Sequence, residues 1–379
     1  MAVAVVGAGF SGLMFAVALA RAGERVDLYE EHDRVGYPEH CTGLVSEATV
    51  QAIGRPAVRS TLGVMESFVV SGPTASLRLR ASRPVVKLDR VRLEQLMLEE
   101  AESEGVHYTP GLRVRARPDG SLIPTNKRYD AIVLAEGYLG AQRHELGIGF
   151  RGSPLYGVNV EVDVGGTPDF EAKFDERLSD GFFAWKVILG STTIVGTASR
   201  DPRTLKRKLD EAMRAFEVEG RQVKVYGGPI ITGPYPDKVR AGRVVVVGDA
   251  SSMNKALTGG GLFPSSSAAL RAETMIREGK GVPEALEESV LHVIRELKRM
   301  YRLSRLLHGR PYVVDLVIRA SLESGLADRL MGKIDYDRHQ TLLEQSLRTT
   351  SFYRAAFSAL VRDPVNSLRL AAAAIADMI

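Results

Sequence analysis

One stretch limits the possible folds more than any other. Residues 1–6 are a short apolar run rich in valine, Gly7-Ala8-Gly9-Phe10-Ser11-Gly12 follows, and a helical pattern then runs over residues 13–22 until Gly23 stops it. A G-x-G-x-x-G turn that leaves a strand and opens a helix is a dinucleotide-binding pattern in its proper context. Gly7 permits the tight turn, Gly9 lets the backbone approach a pyrophosphate, and Gly12 lets the helix pack closely on the strand. Ser11 lies in the loop just before the helix start, where exposed N–H groups face an anion. A second strand, residues 25–29, ends in Glu30. That acid stands about 20 residues beyond the loop, where it reaches a ribose hydroxyl pair. It favours an unphosphorylated adenosine ribose, as in FAD or NAD, over NADP.

The chain has 379 residues, enough for two domains or one elaborated domain. Its 45% hydrophobic and 25% charged content is ordinary for a globular protein. A net charge of +4 is too modest to mark a nucleic-acid binder. One cysteine, Cys41, excludes an internal disulfide and fits a reducing cytoplasm. The binding strand starts at Met1, so no signal peptide is expected. No run approaches the ~18 apolar residues of a membrane helix, so membrane contact is expected to be peripheral. No metal-ligand cluster stands out.

Further along, residues 31–44 are irregular, with two glycines and a proline, and read as a loop over the cofactor, with Arg34 near its adenosine end. Residues 68–88 alternate short β-prone runs with turns. Asp89 is a good N-cap for a helix over residues 90–104, ended by Gly105. Strands are expected at 106–108, 112–116 and 131–135, the last leading into Glu136-Gly137. From about residue 155 to 231, period-2 segments such as 156–162 and 182–187 indicate antiparallel sheet. One helix interrupts them, opened by Asp201-Pro202 and running to Phe216. Residues 243–247 read as a buried parallel strand before Gly248-Asp249-Ala250, and residues 265–379 as mostly helical.

The expected class is therefore α/β: a Rossmann-like domain in pieces (1–60, 89–150 and 243–280), a mainly antiparallel sheet domain (61–88 and 151–242) and a C-terminal helical region (281–379). Interleaving of this kind suits FAD, whose length needs contacts from distant parts of the chain.

Four stretches resemble the geranylgeranyl reductase family of flavoproteins, archaeal members above all, within the p-hydroxybenzoate hydroxylase-like FAD superfamily. They are the first loop with Glu30; Pro38-Glu39-His40-Cys41-Thr42-Gly43-Leu44; Phe183-Ala184-Trp185-Lys186-Val187-Ile188 with Val195-Gly196; and Val247-Gly248-Asp249-Ala250 with Lys255-Ala256-Leu257-Thr258-Gly259-Gly260-Gly261-Leu262-Phe263-Pro264. The second is similar to the family's proline–cysteine–glycine loop beside the flavin. The third keeps Trp185 and Gly196 of the substrate-cavity motif but has Phe183, Val187 and Ile188 where the family has Tyr, Phe and Pro. The fourth has Ala256 in place of Pro.

The resemblance implies FAD as cofactor, with Arg34, Thr42, Gly43, Arg90, Val114 and Gly137 beside it. Asp249 would bond a ribityl hydroxyl, although a simple helix cap is the plainer reading of it. Gly259, Gly260, Gly261 and Leu262 would place a helix N-terminus against the flavin pyrimidine, where it stabilises the anionic reduced form; a flexible turn is the alternative. Arg90 is otherwise a solvated charge, and Val114 a plain strand residue. Cys41 is the candidate proton donor and His40 the runner-up. A buried small hydrophobe and a structural histidine are their plainer readings. Phe182, Phe183 and Trp185, alternating in a strand, would line an apolar cavity or fill the core.

The implied reaction saturates carbon–carbon double bonds of an isoprenoid chain, as in archaeal-type lipid synthesis. NAD(P)H or a ferredoxin-like protein would be the external electron donor, since no second strand-bound G-x-G-x-x-G is present. A flavin monooxygenase or halogenase of the same fold, and an FAD-containing lipid-binding protein without turnover, are the alternatives.

Overall fold

The computed structural model describes residues 1–149, 152, 154–338 and 350–362, and the chain divides into two compact units. The first comprises Met1–Leu62, Val86–Pro154 and Pro229–Tyr301. The second comprises Gly63–Val85, Leu155–Gly228 and the chain from Arg302. The helical stretch after residue 281 is not a unit of its own. Its long helix, Val282–His308, belongs to the first unit as far as Tyr301 and to the second beyond it.

The first unit is built on a sheet in the order Arg240–Ala241, Val244–Val246, Ala131–Leu134, Ala2–Val6, Arg25–Tyr29, His107–Thr109. Its interior strands are parallel: Val3 lies opposite Ala131, Ala2 opposite Arg25, Ile132 opposite Val244 and Asp27 opposite His107. The runs AVAVV, AIVL and VVV are almost wholly buried, as expected for strands covered on both faces. Ala4, Ile132, Leu134, Val244 and Leu122 pack in one core. The first helix starts at Phe10, three residues earlier than the pattern predicts, so Gly9 is its N-cap. Asp89 caps the Arg90–Ser103 helix, accepting from the Arg92 N–H at 2.9 Å.

In the second unit the sheet strands run in the order Gln222–Ile230, Leu155–Val162, Thr193–Ser199, Ala184–Ile188, Asp169–Lys173, Thr61–Ser71, Ser76–Leu88. Most pairs are antiparallel, but Asp169–Lys173 pairs in parallel with Thr61–Ser71. The short runs expected over 68–88 are two long strands instead. Arg78, Arg80 and Arg83 face outward along the second of them, while Lys87 is buried. The Leu205–Ala215 helix buries Ala212 against Val160, Val162, Ala184 and Val195. Among the described residues no helix is long and apolar enough to cross a membrane.

Candidate functional site

The three loop glycines are required for different reasons. Gly7 has φ +98°, and a Cβ there would run into the Ala135 carbonyl oxygen. A Cβ on Gly12 would run into the Gly7 carbonyl oxygen. Gly9 has nothing within 4 Å of where its Cβ would stand. The chain itself demands Gly7 and Gly12; only something outside the chain demands Gly9. The helix that Gly9 caps has no side-chain cap and no acid in its first turn, so its N-terminal partial charge is not offset.

Glu30 closes this loop. Its Oε2 accepts from the Ala8 N–H at 2.6 Å, and its Oε1 lies 3.0 Å from the His32 N–H and 2.6 Å from His32 Nδ1. Nearby, burial and the Glu30 charge push the Tyr108 hydroxyl up to about 12. A cavity of about 380 Å³ opens here, lined by Gly7, Gly9, Glu30, Arg34, His40, Val114 and Gly137 among the expected residues, within the ~300–1,000 Å³ of small-molecule sites. The Arg34 guanidinium lies over the Tyr37 ring, 4.8 Å from its centroid. Gly137 takes φ +69°. His40 is exposed, with Nδ1 3.1 Å from the Pro38 carbonyl oxygen. Val114 precedes its strand, which is only Arg115–Ala116. The Gln142 side chain occupies the Val114 carbonyl, donating to it at 3.1 Å and accepting from the Ala116 N–H at 2.8 Å. That carbonyl is thus already engaged within the chain.

Arg90 is not a solvated charge. It is 6% exposed, forms an ion pair with the equally buried Glu94, and has its guanidinium 5.6 Å from the Phe10 ring centroid. Burial works to lower its pKa, but the neighbouring Cys41 sulfur and the Glu94 carboxylate outweigh burial and hold it above the ordinary arginine value. Its Nε has no hydrogen-bond partner. Gly43, at φ +75°, allows the close passage: a Cβ there would meet the Leu88 carbonyl oxygen at 2.7 Å and Arg90 Cγ at 3.0 Å. Cys41 and Thr42 beside it are half-buried. Glu94 was not among the expected site residues, although its i,i+4 spacing from Arg90 on a helix is a usable signal.

The second glycine segment lies against the first. Gly248, at φ +64°, leaves room for the Ser11 side chain, and Ser11 Oγ is 2.8 Å from Ser265 Oγ on the Leu262–Arg277 helix. Asp249 lies in a 3-10 turn, Gly248–Ser251, with Oδ1 3.3 Å from where a Gly261 Cβ would stand. The glycine run is tied to Lys255 by backbone hydrogen bonds. Lys255 N–H donates to the Gly260 carbonyl at 3.0 Å, and Gly259 N–H to the Lys255 carbonyl at 2.8 Å. Gly261 is the N-cap of the helix that Leu262 begins, and no side chain caps it. Three side-chain oxygens in this segment, Ser252 Oγ, Asn254 Oδ1 and Thr258 Oγ1, are buried without a partner. Such orphans are rare in native proteins and call for an explanation. They, and the open space at Gly9, fit a polar, phosphate-bearing cofactor such as FAD.

In the second unit, Phe182 and Phe183 precede the Ala184–Ile188 strand rather than alternating within it, and stack on each other at 4.1 Å between centroids. Trp185 lies edge-on to both, at 6.3 and 6.0 Å, and its Nε1–H donates to Asn159 Oδ1 at 2.9 Å. Phe174 and His308 complete the cluster. Gly196, opposite Trp185 in the sheet, leaves the space that the indole fills.

Comparison with known proteins accords with this geometry. A family model for an NAD(P)-binding Rossmann-like domain matches residues 5–42. Over 95% of the chain and 98% of its counterpart, the structure resembles a geranylgeranyl bacteriochlorophyll reductase-like protein of Thermoplasma acidophilum, with TM-score 0.74 and 16% identity. The fold is that of the FAD-dependent reductases and monooxygenases. A probable FAD-dependent monooxygenase of Pseudomonas aeruginosa shares it over 82% of this chain and 97% of that one, with TM-score 0.63 and 18% identity. A probable electron transfer flavoprotein-quinone oxidoreductase of Escherichia coli K12 is 24% identical over 358 residues, 81% of this chain and 83% of the relative.

Proposed function

We propose that the chain is an FAD-dependent oxidoreductase that saturates carbon–carbon double bonds of an isoprenoid chain. The observation that carries this reading is the likeness to the reductase-like structure along nearly the whole of both chains. Residues 7–12 and Glu30 would hold the pyrophosphate and adenosine half of FAD, with Arg34, Val114 and Gly137 beside it. Asp249 and residues 259–262 would hold the ribityl and flavin half, with Thr42, Gly43 and Arg90 near the ring.

When bound, the flavin supplies hydride to an alkene carbon. The chain's part is to place a proton donor and to exclude water. Cys41 Sγ, hydrogen-bonded to the buried Arg90, is the first candidate to protonate the second carbon, and His40 the alternative. An isolated alkene is a poor electrophile, so its alignment and a dry environment carry much of the barrier lowering. Phe182, Phe183 and Trp185 are the proposed apolar contact for the isoprenoid chain. NAD(P)H or a ferredoxin-like protein would reduce the flavin. Lipid-bound substrate would be reached at the membrane surface, peripherally.

A second reading, an FAD monooxygenase, draws on the likeness to the Pseudomonas protein. One experiment separates the two. The protein is reduced with dithionite without air and mixed with geranylgeranyl lipids, and flavin reoxidation and product mass are followed. Reoxidation with a gain of two hydrogens per double bond is the expected result. Reoxidation only after oxygen is admitted, with a hydroxylated product, would replace the reductase reading by the second. Lipid binding without any reoxidation would leave a binding protein.

A further inference from the structure

The three orphaned oxygens near residues 252–258 stand apart from everything the glycine pattern requires, and Asn254 is the most informative. It is 2% exposed, and its Oδ1 has no partner. Its backbone is fixed on both sides: its N–H donates to the Ser252 carbonyl at 2.8 Å, and its carbonyl accepts from the Tyr235 hydroxyl at 2.8 Å. The side chain lies with Oδ1 against Gly261, the N-cap of the 16-residue Leu262–Arg277 helix. Asp249 Oδ1 lies against the same point, 3.3 Å from where a Gly261 Cβ would stand. Two acceptors thus converge beside an uncapped helix N-terminus, which offers donors. A buried acceptor without a partner is costly, and a leucine of similar size would remove the cost.

We infer that Asn254 Oδ1 is a cofactor-binding acceptor that pairs with Asp249 to receive hydroxyl or imide N–H donors on the flavin–ribityl half of the cofactor. This rests on the FAD reading above. The pair selects a ligand that presents donors at that point while its anionic or carbonyl groups meet the helix N-terminus. The adenosine half, held by the first loop, takes no part in the selection.

The test is Asn254→Leu in the full chain, read by flavin fluorescence quenching with FAD and with FMN, by displacement with ADP, and by thermal unfolding of the apoprotein. The expected result is a loss of about five- to ten-fold in affinity for both flavins, the size of one hydrogen bond. ADP affinity stays unchanged, and the apoprotein unfolds at the same or a higher temperature. Unchanged FAD and FMN affinities in Asn254→Leu, with wild-type binding intact, overturn the inference. So does an apoprotein that melts earlier, because the amide would then be supporting Asp249 within the chain. A wild-type chain that takes up no FAD overturns the cofactor reading itself, and this inference with it.

Discussion

Around residues 7–12 the half-buried acid, Glu30, has both oxygens partnered by Ala8 and His32. Around residues 248–262 three buried side-chain oxygens have no partner at all. Both segments belong to the first unit and meet at Ser11, Gly248 and Ser265. The first segment is shaped mainly by steric need and would hold a ligand with backbone N–H groups and open space. The second is shaped by polar groups whose partners lie outside the chain. The aromatic cluster of the second unit gives a further contrast. There the one polar atom of Trp185 is satisfied by Asn159, so its ring offers a ligand apolar contact only.

The largest effect is expected at the buried ion pair. Glu94→Gln leaves Arg90 buried without its carboxylate and should cost about 3–5 kcal/mol in urea unfolding. A loss below about 1 kcal/mol would mean that Arg90 does not depend on this carboxylate. Next come the loop glycines. Gly12→Ala forces a Cβ into the Gly7 carbonyl and should cost about 1–3 kcal/mol or more. Gly9→Ala should stay within about 1 kcal/mol of wild type yet weaken FAD and ADP alike. Equal destabilisation by the two would erase the distinction between glycines the fold needs and the glycine a ligand needs. In the second unit, Trp185→Phe removes the hydrogen bond to the Asn159 oxygen and should cost about 0.5–1.5 kcal/mol while leaving FAD affinity untouched. A drop in affinity would tie the aromatic cluster to the cofactor.

The smallest effect concerns Asp27, away from both loops. Burial tends to raise its carboxyl, but hydrogen bonds from Tyr129 at 2.6 Å and Lys127 at 3.1 Å outweigh burial and hold it below the ordinary aspartate value. A depressed folded pKa stabilises the native state above the unfolded value of about 3.9 and loses that contribution as pH falls through the folded value. Asp27→Asn should flatten the fall in stability below about pH 4. An unchanged acid limb would show that the Tyr129–Lys127 cluster does not favour the ionised form.

What could be read from the chain follows from the range of the forces involved. The strand–glycine–helix turn, the Asp89 cap and the valine strand before Gly248 are local patterns, and each appears where its residues stand. The Arg90–Cys41 contact is not local: 49 residues separate the two positions, and only the turn at Gly43 brings them together. Phe182 and Phe183 look like alternating strand residues, but stacking on each other defeats the alternation. Val114 lines the cavity as expected of a residue beside the cofactor, but the bond that Gln142, 28 residues away, donates to its carbonyl is a long-range contact. Asn254 carried no signal, because a polar residue in a glycine-rich loop is unremarkable until its burial is known.

The most direct test of the account is a titration of the apoprotein with FAD, followed by flavin absorbance and fluorescence. The expected result is saturable uptake of one FAD per chain, competitive displacement by ADP, and separate losses of affinity in Gly9→Ala and Asn254→Leu, the first shared by ADP and the second shared by FMN. Absence of saturable FAD uptake, or variants that weaken ADP and FMN binding indiscriminately, would contradict the assignment of one cofactor to two glycine segments.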